Sequence, residues 1–161
     1  MPTAIDVAVL MGSESDWQVM KSAVDTLQEY GVSCEARVLS AHRTPEQTAD
    51  YVRKADAAGT RVFIAAAGMA AHLAGAVAAQ TTRPVLGVPL AASALNGLDA
   101  LLATVQMPPG IPVGTLAIGQ PGAVNAALLA ISILANERPE LRTKLAAARQ
   151  KKADKILGTT L

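Results

Sequence analysis

The stretch "RVFIAAAG", Arg61 to Gly68, decides how this chain folds. It is a nearly continuous apolar run, without the alternation expected of a strand that keeps one face in water, and it reads as a strand covered on both faces. Upstream, Pro45 to about Ala58 reads as a helix closed by Gly59, and "VSCEARVLS", Val32 to Ser40, as the strand before it. Earlier still, helical spacing from Asp16 puts Trp17, Met20, Val24 and Leu27 on one stripe, which Gly31 stops, and "IDVAVLMG" is a first strand ended by Gly12. Downstream come an alanine-rich helix from about Ala70 to Gln80, the strand "PVLGVPL", a helix around Leu98 to Val105, the loop "QMPPGIP" and the strand "VGTLAIG". Two helices finish the chain: "GAVNAALLAISILA", apolar nearly all round and therefore deeply packed, and a charged one from about Glu140 to Leu157. Alternation of this kind implies an α/β fold, a central parallel sheet with helices on both faces.

The 161 residues suit one domain, residues 1–161, with no repeats or low-complexity linker. With 51% hydrophobic, 17% charged and 2% aromatic residues, the apolar mass is aliphatic and the surface is short of charge for a monomer. Other copies of the chain are expected to bury part of it. A net charge of +1 argues against a broad nucleic-acid surface, and Arg149, Lys151, Lys152 and Lys155 read as a solvated tail face. Cys34 is the only cysteine, so no internal disulfide and no cysteine-built metal site is possible, and a reducing cytoplasm fits. The N-terminus runs into polar sequence without a basic leader. The apolar run Ala123 to Ala135 is shorter than the roughly 20 residues needed to cross a bilayer, so no membrane association is expected.

In a parallel α/β sheet, ligands gather outside the carboxyl ends of the strands. Three segments fall there: "GSESD" (Gly12–Asp16), "SAHRTP" (Ser40–Pro45) and "AGMAAHLAG" (Ala67–Gly75). In the first, Ser15 or Asp16 could simply cap a helix; alternatively, glycine and hydroxyls at a helix start suit a phosphate, while the Asp16 carboxylate suits sugar hydroxyls. It is no Walker loop, since "GK[ST]" is missing. In the second, Thr44 and Pro45 open a helix as cap and first-turn proline. Arg43 is shaped to hold phosphate by paired donors, and the His42 imidazole can give and take protons near neutrality. In the third, small residues either let a helix pack tightly or shape a dry pocket in which Gly68 admits a ligand; His72 bonds backbone or solvent on the first reading. No histidine spacing suits a metal, and no G-x-S-x-G elbow is present.

Together "MGSESDW", "SAHRTP", "AGMAAHLAG", "PVLGVP", "GLDALLATVQMPPGIPVGTLAIG" and "NAALLA" resemble, in order, the 5-(carboxyamino)imidazole ribonucleotide mutase family of purine biosynthesis, from about Val7 to Ala135. The resemblance implies a flavodoxin-like three-layer α/β/α sandwich and a homo-octamer whose sites are completed by neighbouring subunits; the C-terminal helix, about 139–158, lies beyond the resemblance and is expected to pack in the oligomer. It implies an isomerase that moves a carboxylate from the exocyclic nitrogen of its ribonucleotide substrate to a ring carbon, without metal or organic cofactor. His42 matches the family's general acid and base. Ser13, Asp16 and Arg43 match nucleotide-binding positions, with Asp16 on the ribose and Arg43, helped by Ser40 and the Ser13–Ser15 loop, on the phosphate. Gly68, Ala71, His72 and Leu73 match the segment lining the base and carboxylate pocket, and "QMPPGIP" a loop that helps to close it. Met69 stands where glycine is common in the family and Ala74 where proline is.

Two other readings compete. The animal-type carboxylase of the same family uses free carbon dioxide, tends to carry lysine after the histidine and lacks "AAHL"; Arg43 and His72 favour the mutase. A non-catalytic nucleotide- or flavin-binding module is the other, but a flavin site usually stacks the ring on aromatics, and this chain has one Trp, two Tyr and one Phe.

Overall fold

A computed structural model describes residues 4–160; the first three residues, which belong to the N-terminal stretch read above, lie outside them. Five parallel strands form one sheet: β1 (Val7–Met11), β2 (Cys34–Val38), β3 (Val62–Gly68), β4 (Val85–Leu90) and β5 (Gly114–Thr115), in the order β2-β1-β3-β4-β5. Among the described residues six α-helices connect and flank them: α1 (Trp17–Glu29), α2 (Pro45–Ala57), α3 (Leu73–Ala78), α4 (Leu98–Val105), α5 (Gln120–Leu134) and α6 (Pro139–Leu157). This is the flavodoxin-like doubly wound sandwich.

The buried strands supply both cores because successive side chains point to opposite faces. Val7, Val9, Met11, Val62, Ile64 and Ala66 join α1, α5 and Leu141 of α6 on one side; Ala8, Leu10, Phe63 and Ala65 meet α2 and α3 on the other. All five residues of β1 are buried, as are Val62 to Ala66 of β3, which is the two-sided burial expected of "RVFIAAAG". On the second side α4 comes close at Gly87, where a β-carbon would lie 2.4 Å from Thr104 Cγ2.

Four details differ from the sequence reading. Trp17 opens α1 at the sheet's β2 margin and is 39% exposed, so only Met20, Val24 and Leu27 of the expected stripe are buried. The third helix begins at Leu73 rather than about Ala70, because Met69 adopts φ +54 and turns the chain first. "VGTLAIG" pairs regularly only at Gly114 and Thr115; beyond them Leu116 N–H and Gly119 N–H reach Gly87 O and Pro89 O singly. Thr44 stands before α2, yet its hydroxyl caps no helix N–H.

Candidate active site

The strand order reverses direction beside β1 and β3, and a crevice opens there at the carboxyl ends. The cleft has a volume of about 530 Å³, within the range of small-molecule sites. The loop after β1 brings Gly12, Ser13, Ser15 and Asp16; the loop after β2 brings Ser40, Ala41, His42 and Arg43; the segment after β3 brings Gly68, Met69, Ala70, His72 and Leu73. Eight of the nine expected site residues, all but Ala71, thus line one cleft. Ala71 is buried and does not line it, nor does "QMPPGIP", whose Met107 lies against Gly75 of α3.

The loop after β1 is held by Asp16. Its Oδ2 accepts the Ser13 N–H at 3.0 Å, and the carboxylate makes no side-chain cap on α1. Burial pushes the Asp16 carboxyl above its usual range, against the pull of the Ser13 hydrogen bonds. A ligand hydroxyl donating to this carboxylate would replace solvent that burial has removed. Beside it the Ser13 and Ser15 hydroxyls are 2.6 Å apart.

Arg43 spans two loops. One Nη donates to Gly12 O at 3.0 Å, while its backbone N–H and Nε reach Ser40 Oγ at 3.2 and 3.4 Å. The guanidinium is thereby fixed by the ends of β1 and β2, with further N–H groups left for an anion.

Across the cleft, His42 Nε2 and His72 Nδ1 lie 2.6 Å apart, the rings nearly perpendicular at 80°. A bond this short needs one nitrogen protonated and the other bare. A neutral pair and a singly charged pair both keep it, and a doubly charged pair loses it. Spacing in the sequence, thirty positions apart, gave no sign that the two histidines meet.

Gly68 sits where the chain has no room for more: a β-carbon there would stand 2.5 Å from Ala92 Cβ and 3.2 Å from Leu90 O. Ala92, after β4, lines the cleft and was not anticipated; only the general rule about strand carboxyl ends points to it. Ala67, Gly68, Ala70, Leu73 and Ala92 make this end of the cleft small and apolar. Among the described residues, no group of three His, Cys, Asp or Glu side chains is placed to hold a metal ion.

The family model described as AIR carboxylase matches residues 6–155. The chain belongs to the AIR carboxylase family. Family members named N5-carboxyaminoimidazole ribonucleotide mutase include one from Brucella melitensis, 58% identical over 82% of this chain and 82% of its own length. Another from Vibrio cholerae is 52% identical over 94% of each chain. Among solved structures, Treponema denticola PurE superposes with a TM-score of 0.86 at 26% identity, covering 94% of this chain and 93% of that one.

Proposed function

We infer that the chain is an N5-carboxyaminoimidazole ribonucleotide mutase, an isomerase of purine biosynthesis, with His42 as its general acid and base. Membership of the AIR carboxylase family and the name carried by close relatives support the reaction. The observation that carries the residue assignment is the meeting of His42, His72, Arg43 and Asp16 on one cleft whose far end is small and apolar.

In this mechanism Arg43, Ser40 and the Ser13–Ser15 loop hold the phosphate, and Asp16 the ribose hydroxyls. His42 gives a proton to the exocyclic nitrogen as its bond to the carboxylate breaks, freeing carbon dioxide. The ring carbon then attacks the trapped gas and forms the new carbon–carbon bond, and His42 takes the ring proton. The proton count closes, since the one given to nitrogen is recovered from carbon. His72 keeps its bond to His42 in both states, because the pair alternates between neutral and singly charged. Holding both fragments turns their recombination into an effectively unimolecular step, which is where most of the rate enhancement arises. Small apolar walls suit a neutral linear molecule and exclude water.

A homo-octamer completes the proposal. The apolar side chains of Leu98, Leu102 and Val105 recur along α4 and are exposed, as are Leu95 before it and Ile156 and Leu157 at the end of α6. Neighbouring copies would cover them.

Purified protein supplied with the carbamate substrate in bicarbonate-free buffer is expected to form the ring-carboxylated isomer. No product there, with product appearing when the aminoimidazole ribonucleotide and bicarbonate are supplied, would replace the mutase by the carboxylase.

A further inference from the structure

We propose that Thr44 is a positioning residue for the turn that carries His42 and Arg43, acting through Ser40 and not through the ligand. A threonine at this place before a helix ordinarily gives its hydroxyl to a helix N–H. Here it makes no such bond. Its Oγ1 accepts the Ser40 N–H at 2.9 Å and donates to Ser40 O at 3.0 Å, and the Thr44 N–H reaches the same carbonyl at 2.9 Å. Residues 40–44 are therefore closed into a ring by the backbone and side chain of one residue. Thr48, one turn further on and buried, holds that ring from below: its Oγ1 donates to Thr44 O at 2.8 Å.

The consequence reaches the cleft through Ser40, whose hydroxyl accepts from Arg43 N–H and Nε. Thr44 itself does not line the cleft. A capping preference set aside at the edge of a site is the kind of local inconsistency that function tolerates. The hydroxyl spends its bonds on the turn, and the turn sets where an imidazole and a guanidinium stand.

The proposal rests on the mutase reading for its kinetic test, and a second readout separates the two. Thr44→Val removes the hydroxyl at nearly constant volume. It is expected to lower kcat/KM for the carbamate substrate by about 10- to 100-fold, as a displacement of catalytic groups by an ångström does. Thr44→Ser, which keeps the hydroxyl, should stay within about threefold of wild type. Amide hydrogen exchange across residues 40–44 should quicken in Thr44→Val and not in Thr44→Ser, whatever substrate the enzyme turns over. Thr44→Ala carries the same expectations should the valine variant fail to fold. Wild-type kcat/KM or unchanged exchange in the hydroxyl-free variant, or equal impairment of Thr44→Ser, would overturn the proposal.

Discussion

Arg43 bonds to Gly12 O and Ser40 Oγ before any ligand arrives, so its guanidinium loses little freedom on holding an anion. Arg43→Ala is expected to weaken binding of the nucleotide by about 1.5 to 3 kcal/mol, the value of a charge-assisted hydrogen bond, measured by calorimetry. Met69 is a different case. Its φ of +54 places a long side chain in the left-handed region, and 60% of the residue is exposed at the cleft wall. A β-carbon there costs about 1 to 2 kcal/mol, partly offset by the freedom that glycine loses on folding. Met69→Gly should therefore raise stability by about 0.5 to 1 kcal/mol in denaturant unfolding. The residue types in "SAHRTP" and "GSESD" pointed to an imidazole, a guanidinium and a carboxylate at strand ends, and the structure brings the three to one cleft. The 2.6 Å contact of His42 with His72 was not readable, because it depends on how two loops from different strands turn toward each other. Ala92 escaped for a related reason, as an alanine carries no chemical signal.

Strand β3 and the loop after β4 meet at Gly68, where packing and site construction are the same event. Gly68→Ala would force its new methyl against Ala92 Cβ at 2.5 Å and Leu90 O at 3.2 Å. Crowding of this sort costs about 1 to 3 kcal/mol and should lower turnover by displacing the wall. Adding Ala92→Gly removes the first of those contacts and should restore most of the loss; thermal unfolding and turnover of the single and double variants check this. At this scale the sequence was most legible where composition and punctuation were clear, in the unbroken apolar run of β3 and in α2, which opens at Pro45 and ends before Gly59. It was least legible at element ends. The start of α3 is set by a positive φ that no propensity for Met foretells, and β5 is cut short at the sheet's edge, where there is a partner on one side only. Trp17 fitted a helical stripe by spacing alone, but an element's first turn can project beyond the surface that its later turns cover.

Across the whole chain, Asp6 ties the start of β1 to the joint between α5 and α6. Its carboxylate accepts from Arg138 through both oxygens and from the Ser33 hydroxyl at 2.8 Å, and the Arg138 bond leads in holding its pKa below the ordinary carboxylate value. A depressed carboxyl stabilises the fold fully above the unfolded pKa, and that stabilisation is lost as pH falls through the folded value. Asp6→Asn should therefore cost about 1 kcal/mol near neutrality, toward the low end because Arg138 is partly in solvent, and the difference from wild type should close below about pH 4 in urea unfolding. Sedimentation of the intact protein is expected to give an octamer, and Leu98→Asp with Leu102→Asp to break it down; a monomeric wild type would remove the proposed assembly. The parallel sheet and both covered faces followed from the alternation of strands and helices around "RVFIAAAG", whereas the assembly depends on surfaces whose partner a single chain does not contain. The proposed chemistry turns most directly on His42. In His42→Asn, turnover of the carbamate substrate and the dissociation constant of the nucleotide should be measured on one preparation: the prediction is loss of turnover with binding largely intact, and turnover equal to wild type would contradict the proton-transfer role.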